Sequence, residues 1–311
     1  LGKKLIKEFN LDEGKTPQHF AIGFKEIWEV DNNKHSPGDV VHTMGWPLTG
    51  ETSGGGFLYH FDNNRIAVGL IVDLNYSNTH HSPFQEFQQY KQHPAIKQYL
   101  ESGKRVSYGA RAITKGGINS LVKMEFNGGM IIGCDAGTLN PSKIKGSHCA
   151  LQSGMLAAEY VNKLLAEEIC DFDDLFKNSG LYKELYASRN FSSAMHKFGF
   201  YIGAAYNFIE SNIFRNTLPI TIKDEKRDCD SLKPSKSSKL KIYPAPDNKL
   251  SFDITSSLFL SGTNHEEDQP VHLKLTDADI PLNYNKPTYD EPAQRYCPAG
   301  VYEILEKEGE D

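Results

Sequence analysis

The 311-residue sequence has no excess of positive charge and no block of basic residues. It contains 34 lysine and arginine residues against 40 aspartate and glutamate residues, for a net charge of −6. Nucleic acid is therefore excluded as a main partner, because phosphates need a basic surface. Hydrophobic residues at 39% and charged residues at 24% are typical of a soluble globular protein. The length allows two or three domains, or one large core with appendages.

Cysteine is scarce and scattered. The sequence has five cysteines, an odd number, at wide spacing and without a Cys-x-x-Cys pair. This pattern argues against a disulfide framework, shows no complete four-thiolate metal site, and favours reduced cysteines in a cytosol-like compartment. The five are Cys134, Cys149, Cys170, Cys229 and Cys297.

An export signal, an initial methionine and a dinucleotide-binding motif are also missing from the sequence. No charged region followed by an apolar stretch is present, so the sequence shows no export signal. It begins with Leu1 rather than methionine, and we expect this edge to be a cut. No Gly-x-Gly-x-x-Gly follows a strand, so the motif that holds a dinucleotide pyrophosphate is absent from the sequence.

What is present is a mixture of strand and helix patterns. Strands are predicted over residues 21–30 and in the strings GGGFLYHF, RIAVGLIVDL and GGMIIGC. Pro94 interrupts the helical spacing of residues 82–100, so one helix should end near His93 and a short second one should follow. Residues 146–168 carry a strong helical stripe, and LYKELYASRN is a further helical region.

Residues 198–214, FGFYIGAAYNFIESNIF, are rich in aromatic side chains and uncharged until Glu210. The segment is too short and too polar for a transmembrane span. Aromatic residues with flanking cations suit the interfacial plane of a bilayer, but a buried core helix has the same composition. The sequence leaves both interpretations open.

Charged and Pro/Ser-containing residues 223–240 predict a loop or domain boundary. The residues that follow, to Asp311, contain many Asp, Asn and Pro residues and few long helical patterns. A small β-rich or irregular module is expected there. No internal repeat is evident.

The string MIIGCDAGTLNPSKIKGSH predicts a strand that ends at Gly133, a loop with Asp135 and Gly137, and a helix that opens near Gly146. The N-terminus of such a helix offers free N–H groups to an anion or polar oxygen. An acid placed just before it can accept a hydrogen bond from a sugar-like hydroxyl. An ordinary β–α connection that needs glycines for its turns explains the same string.

The string SGGGFLYHF places consecutive glycines, Gly54 and Gly55, at what we interpret as a strand edge. Glycines there would leave backbone groups open to a flat ligand. A glycine-rich hairpin or bulge is the simpler interpretation of the residues alone.

The histidine patterns do not identify a metal site. His80 and His81 are interpreted as a polar loop pair. His265 with Glu266, Glu267 and Asp268 could bind a cation, but no zinc spacing supports a site, and a solvated acidic loop is the better interpretation.

A resemblance to known flavoproteins favours the ligand-binding interpretation of these motifs. GCDAGTLNPSKIKG resembles the second FAD-binding motif of the glutathione-reductase-type flavoproteins. Six further strings, in order and with similar gaps, resemble the electron-transfer-flavoprotein:ubiquinone oxidoreductases, and the resemblance spans nearly the whole chain. These strings are HTMGWPL (42–48), SGGGFLYHF (53–61), SPFQEFQQYKQHP (82–94), GKRVSYGARAI (103–113), LSGTNHEEDQPVHL (260–273) and RYCPAGVYE (295–303).

The resemblance implies an α/β plus α+β fold. It consists of a partial glutathione-reductase-type FAD domain, an inserted β-rich quinone-binding domain and a truncated ferredoxin-like cluster domain. The implied FAD domain consists of residues 1–20 and 129–245 and contains the membrane-surface segment near 198–214. The implied quinone domain is 21–128, and the implied iron–sulfur domain is 246–311.

The resemblance also implies residue roles. Gly54 and Gly55 match glycines that line the quinone site, and Asp135 matches the acid that contacts the ribityl chain of FAD. Cys297 matches the first ligand of a 4Fe–4S cluster, whose other three ligands are expected downstream of this sequence. Residues around the second FAD motif that we expect to face the flavin are Gly133, Gly137, Asn140, Lys145 and Gly146. No catalytic acid or base is assigned.

The implied activity passes electrons from reduced electron-transfer flavoprotein through the 4Fe–4S cluster and FAD to ubiquinone. The enzyme would sit peripherally on an inner membrane, dipping into one leaflet, on the cytoplasmic face in a bacterium or the matrix face in a mitochondrion. As a fragment, the chain is expected to be inactive alone. A geranylgeranyl-reductase-like flavoprotein and a non-catalytic interaction fragment are the competing interpretations.

Overall fold

The computed structural model describes residues 2–48, 52–270 and 274–305. The chain divides into two compact units. Unit 1 consists of Leu1–Ala21 and Ile113–Asp230, and unit 2 of Ile22–Ala112 and Ser231–Asp311.

The described residues contain both α-helices and β-strands. The strands are β1 (Phe20–Glu29), β2 (Val40–Met44), β3 (Gly54–Phe61), β4 (Arg65–Asp73), β5 (Lys104–Thr114), β6 (Glu125–Phe126) and β7 (Gly129–Met130). The helices are α1 (Gly2–Glu8), α2 (Pro83–Gln92), α3 (Pro94–Leu100), α4 (Gly133–Ala136), α5 (Ser147–Leu165), α6 (Phe172–Asn178), α7 (Gly180–Ala187), α8 (Phe191–Asn212), α9 (Ile254–Phe259), α10 (Lys286–Tyr289) and α11 (Ala293–Tyr296).

A five-stranded sheet with the order β2-β3-β4-β1-β5 is the framework of unit 2. The pairs β2/β3 and β3/β4 are antiparallel, and Gly55 pairs with Met44 on one side and Ile71 on the other. In β1, Phe24 and Trp28 are buried while Lys25 and Glu29 are exposed, the alternation expected of a strand with one face on a core. The predicted strands in GGGFLYHF and RIAVGLIVDL are confirmed as β3 and β4.

Helices α2 and α3 pack on this sheet through apolar side chains, among them Phe84, Phe87 and Tyr90. Burying a side chain such as Phe87 contributes about 1.5–3 kcal/mol. The predicted break at Pro94 is confirmed: His93 ends α2, and its side chain accepts a hydrogen bond from Ala95 N, 3.2 Å away, to begin α3.

The core of unit 1 joins α1 to α5 and to the α6–α7 pair. Buried members include Ile6, Leu121, Cys149 and Leu185. Helix α5 begins where the sequence predicts and ends at Leu165, three residues before the predicted limit.

The predicted strand over GGMIIGC is wrong. Only Gly129–Met130 forms a strand, and Gly133 is the first residue of the short helix α4. Gly133 has φ +65°, a backbone conformation that favours glycine and that ends any extended run. Strand propensity in this string is therefore overridden by the turn into α4.

Helix α8 contains the aromatic segment and is interrupted at Gly199, which has φ +74° and ψ +178°. Several of its large apolar side chains are exposed, with Tyr201 at 85%, Ile202 at 66% and Phe208 at 63%. The interpretation of this segment as a buried core helix is therefore wrong. Among the described residues, no helix combines the length and apolar composition that crossing a membrane requires.

Residues 223–240 contain only single 3-10 turns, as the loop prediction requires, and the division between the two units falls within them. After residue 246, the described residues form short helical pieces and no strand. The β-rich alternative for this module is therefore wrong and the irregular one is confirmed. Prolines such as Pro281, Pro287 and Pro292 remove backbone donors that a strand ladder would need.

Candidate functional site

Helix α4 and the start of α5 carry the residues expected to face a flavin. Gly133 donates its N–H to Ser153 Oγ, 2.9 Å away on α5, and a β-carbon on Gly133 would lie 3.4 Å from the Ala150 β-carbon. The close approach at Gly133 is thus made by α5. Gly137, with φ +101°, ends α4 in the left-handed conformation.

Asp135 lies within α4 rather than in a loop, and its side chain is exposed. A β-carbon on Gly2 would lie 2.9 Å from Asp135 Oδ2, so this glycine lets α1 approach the carboxylate. The arrangement leaves the carboxylate able to accept a hydrogen bond from a ligand hydroxyl.

The loop between α4 and α5 is closed by Asn140. Its backbone N donates to Lys145 O at 3.1 Å, and its buried side-chain Oδ1 accepts from Ser142 N at 3.0 Å. Gly146 then caps α5 without any side-chain hydrogen bond. The first N–H groups of α5 therefore have no capping side chain. They form the positive end of the helix dipole, which suits a polar or anionic ligand atom. Lys145 is exposed.

The sequence analysis missed Glu184 on α7. Its Oε1 accepts hydrogen bonds from Asn140 Nδ2 at 2.8 Å, Lys143 Nζ at 3.0 Å and His148 Nε2 at 2.8 Å. Burial would raise the pKa of Glu184, but these donors outweigh it and lower the pKa to about 2. A cavity of about 180 Å³ borders this group and is lined by Asn140, Lys143, Glu184 and Asn207, among others. No periodicity links Glu184 to residues about 40 positions earlier, so no local signal could have found it.

The prediction of open backbone groups at a strand edge is wrong for Gly55, which lies between two paired strands, while Gly54 is the first residue of β3. Strand β3 lies between β2 and β4; Gly55 pairs with Met44 and with Ile71, and Gly54 pairs with Val72. Gly54 has φ +152°, and a β-carbon there would lie 2.1 Å from Ile71 O; on Gly55 it would lie 2.6 Å from Thr43 O. The neighbouring strands therefore demand glycine at both positions.

One edge of this sheet is β2, next to β3, and the side chains of β2 are largely exposed. Met44, opposite Gly55, is 59% exposed, and nearby Trp46 is 47% exposed with its ring 5.2 Å from that of His93. The glycine pair thus lies beside an exposed apolar strip, which is the kind of surface that covers an apolar ring or tail.

Cys297 is buried after α11, and its Sγ accepts a hydrogen bond from Val301 N at 3.5 Å. Tyr108 donates to Pro298 O at 3.1 Å and fixes the same turn. A 4Fe–4S cluster takes four cysteine thiolates. Cys297 is the only cysteine in the sequence of unit 2, so the residues of this chain do not fit a complete cluster.

His80 and His81 lie in a loop, as predicted, but His81 is buried there. Its side chain is 2% exposed, because it packs against Tyr76 with ring centroids 4.7 Å apart. Burial and the nearby Lys241 ammonium lower the pKa of His81 to about 3. By contrast, the loop from His265 to Asp268 is exposed throughout, as predicted.

A family model described as ETF-QO, ubiquinone-binding, matches residues 20–113. A second, described as electron transfer flavoprotein-ubiquinone oxidoreductase, 4Fe-4S, matches residues 248–311. The chain is 60% identical over 311 residues to the electron transfer flavoprotein-ubiquinone oxidoreductase of Pseudomonas aeruginosa. This chain belongs to that family.

The Pseudomonas match covers 98% of this chain and 56% of the relative. The human mitochondrial electron transfer flavoprotein-ubiquinone oxidoreductase is 47% identical, with 100% of this chain and 52% of the relative covered. The chain therefore spans about half the length of these curated relatives. A solved structure of a flavin-dependent brominase is more distant, at 13% identity and a TM-score of 0.40, covering 68% of this chain and 54% of that one.

Proposed function

We propose that the protein containing this chain oxidises reduced electron-transfer flavoprotein and passes the electrons through a 4Fe–4S cluster and FAD to ubiquinone at a membrane surface. The observation that carries this proposal is the position of the two family matches. The ubiquinone-binding match covers Gly54 and Gly55, and the 4Fe-4S match covers Cys297. The domain boundaries implied by the sequence remain part of the proposal.

Residues of unit 1 fit one part of an FAD site. The uncapped start of α5 at Gly146 would face a polar edge of the flavin, and Asp135 and Gly137 would border its ribityl chain. Bound FAD would supply reversible electron transfer. Asn140 and its bond to Lys145 would hold the loop that presents the α5 N–H groups. Gly133 would act indirectly, by letting α4 lie against α5.

Unit 2 would bind the quinone. Gly54 and Gly55 shape the sheet where the ring would lie, and the exposed side chains of Met44 and Trp46 would cover apolar parts of the ligand. Cys297 would supply one cluster ligand, and we expect the other three from residues outside this chain. The chain alone should therefore be inactive.

The exposed apolar side of α8 supports association with one leaflet. Tyr201, Ile202 and Phe208 project large apolar surfaces, and the α8 sequence has cationic neighbours in Lys197 and Arg215. Such a helix lies in the interface plane rather than crossing the bilayer. We propose an inner-membrane location, on the cytoplasmic face in a bacterium or the matrix face in a mitochondrion.

The redox function is tested with the full-length gene product, reduced electron-transfer flavoprotein and a soluble ubiquinone analogue. Quinone reduction is expected in the wild type. Cys297→Ser should abolish the electron paramagnetic resonance signal of the cluster and leave flavin absorbance in place, because one thiolate ligand is lost. Cys229→Ser, at an exposed cysteine of unit 1, is the control and should keep the cluster. Absence of quinone reduction in the cofactor-loaded wild type would refute the function, and an unchanged cluster in Cys297→Ser would refute the ligand assignment.

Membrane association is tested separately by flotation with liposomes that contain anionic lipid. Tyr201→Glu with Phe208→Glu should lower the bound fraction at least about tenfold, because each charge must be desolvated at the interface. Phe259→Glu, at a side chain 85% exposed in unit 2, is the matched control and should float like the wild type. Equal flotation of both variants would contradict the role of α8.

A further inference from the structure

Three segments of unit 1 bring two histidines and an aspartate together. His19 precedes β1 by one residue, His196 lies on α8 before its interruption, and Asp224 follows α8. Their ligand atoms all lie within 4.8 Å of one another. Asp224 Oδ2 is 3.4 Å from His19 Nε2 and 2.7 Å from His196 Nδ1. All three side chains are at most 15% exposed.

A second aspartate fixes the ring of His19. Asp228 Oδ1 lies 2.8 Å from His19 Nδ1, and Asp228 Oδ2 accepts a hydrogen bond from Phe20 N at 2.8 Å. With Nδ1–H donating to this carboxylate, a neutral His19 ring has its lone pair on Nε2. This is the arrangement by which an outer carboxylate orients a metal-binding histidine.

His19 Nε2 is buried and has no hydrogen-bond partner among the described residues. A buried polar nitrogen left without a partner is costly. Here the lone pair points toward Asp224 Oδ2 at 3.4 Å, and the His19 and His196 rings lie 5.1 Å apart in an edge-on arrangement. A cation among the three groups would use the lone pair that the protein leaves unpaired.

The two histidine–aspartate separations are close to those of a zinc site. Bonds of about 2.0–2.2 Å to nitrogen and carboxylate oxygen place neighbouring ligand atoms of a tetrahedral site about 3.3–3.5 Å apart. The His19–Asp224 distance already has this value. The His196–Asp224 contact of 2.7 Å would lengthen by less than about 1 Å as zinc replaces the proton between them.

Within the described part of the chain, a second group with three possible ligands, His148, Cys149 and Glu184, differs in this respect. Glu184 Oε1 already accepts from His148, Lys143 and Asn140, and no nitrogen of His148 is buried without a partner. A histidine beside a carboxylate therefore does not by itself leave a buried ring nitrogen without a hydrogen-bond partner, as occurs at His19.

We propose that His19, His196 and Asp224 bind a zinc ion, with Asp228 as the positioning residue that orients the His19 ring. Three protein ligands leave the fourth position of the metal to water. The ion would join the segment before β1 to the first half of α8 and to the segment that follows α8. Its role is therefore to brace the base of the exposed helix.

The test uses the full-length gene product, treated with a chelator and then dialysed against buffered Zn²⁺, with zinc measured by mass spectrometry. The wild type should retain about one equivalent. Asp224→Asn keeps the shape of the side chain and should weaken zinc binding at least about 100-fold, and His196→Gln should do the same. Asp228→Asn should weaken it about 10- to 100-fold, as expected for an orienting carboxylate. His148→Gln, in the second group, is the control and should bind zinc like the wild type.

A second measurement keeps the test independent of folding. Co²⁺ should give visible d–d bands in the wild type and in His148→Gln, and the bands should be lost in Asp224→Asn and His196→Gln variants whose circular dichroism matches the wild type. A folded wild type without a zinc equivalent overturns the proposal. So does equal zinc binding by the wild type, Asp224→Asn and His196→Gln, because the histidines and aspartates would then form only a hydrogen-bond chain.

Discussion

The carboxylate of Glu26, at the centre of unit 2, offers a quantitative test of what holds this fold together. Its two oxygens accept hydrogen bonds from Lys91 Nζ at 2.9 and 2.8 Å, Arg105 Nη1 at 3.1 Å and Trp28 Nε1 at 2.9 Å. Glu26, Lys91 and Trp28 are fully buried. Glu26→Gln removes the only negative charge in this contact set and leaves two cations facing a neutral amide.

The expected loss in the free energy of unfolding is about 3–5 kcal/mol, the range for removing one partner of a buried ion pair. At 2.9 Å and an effective dielectric constant of about 20, a single pair attracts by about 6 kcal/mol, and desolvation of the ions offsets much of this. Burial already lowers the pKa of Lys91 to about 8, although Glu26 opposes that shift. Without Glu26, the buried Lys91 ammonium loses the carboxylate that offsets its desolvation.

Urea unfolding, followed by circular dichroism, measures this change. Glu29→Gln on the same strand is the control, because its ion pair with Arg65 spans 3.0 Å between side chains that are 43% and 46% exposed. Such pairs contribute about 0–1 kcal/mol. Adding Lys91→Met to Glu26→Gln should recover part of the loss, since one unpaired buried charge is removed. A Glu26→Gln variant within 1 kcal/mol of the control would refute the reasoning.

Two further predictions concern pH and backbone geometry. Because the pKa of His81 is lowered from 6.5 to about 3, the unfolded chain binds a proton that the folded chain does not between these pH values, so stability falls as pH falls through this window. His81→Gln should reduce that slope, measured by unfolding at pH 6, 5 and 4, by up to about 1.4 kcal/mol per pH unit, and an unchanged slope would contradict the buried neutral histidine. Gly54→Ala should lower the free energy of unfolding by about 1–3 kcal/mol, because its β-carbon would lie 2.1 Å from Ile71 O in a strained backbone. Gly109→Ala, where nothing lies within 4 Å, is the control and should change stability by less than about 1 kcal/mol; equal effects would show that the contact at Gly54 is relieved by relaxation.

The parts of the fold that follow from local rules could be predicted from the sequence. The strand over residues 21–30 follows from alternation, and the division of residues 82–100 into two helices follows from Pro94. The helix that begins after Gly146 has a continuous apolar stripe. Each of these features depends on neighbours a few residues away, and tertiary contacts only reinforce them.

The features that could not be predicted depend on distant residues. The position of β3 inside the sheet requires β2 and β4, and nothing in the string SGGGFLYHF specifies both. Burial of His81 depends on Tyr76 and on Lys241, which follows His81 by 160 residues in the sequence. The contacts of Glu184 and of His19 likewise join segments that are far apart in the chain, so composition and spacing carry no signal for them.

The glycines of β3 show how a family motif and a packing requirement coincide. Gly54 and Gly55 are proposed to line the quinone site, yet the structure explains both by the distance to backbone oxygens of Ile71 and Thr43. A substitution at either position therefore distorts the sheet. Loss of quinone reduction in such a variant would not show that the glycine contacts the quinone. Exposed side chains beside the glycines are free of this ambiguity. Because Met44 lies opposite Gly55 and is 59% exposed, a substitution there tests the proposed quinone contact without a cost to the core.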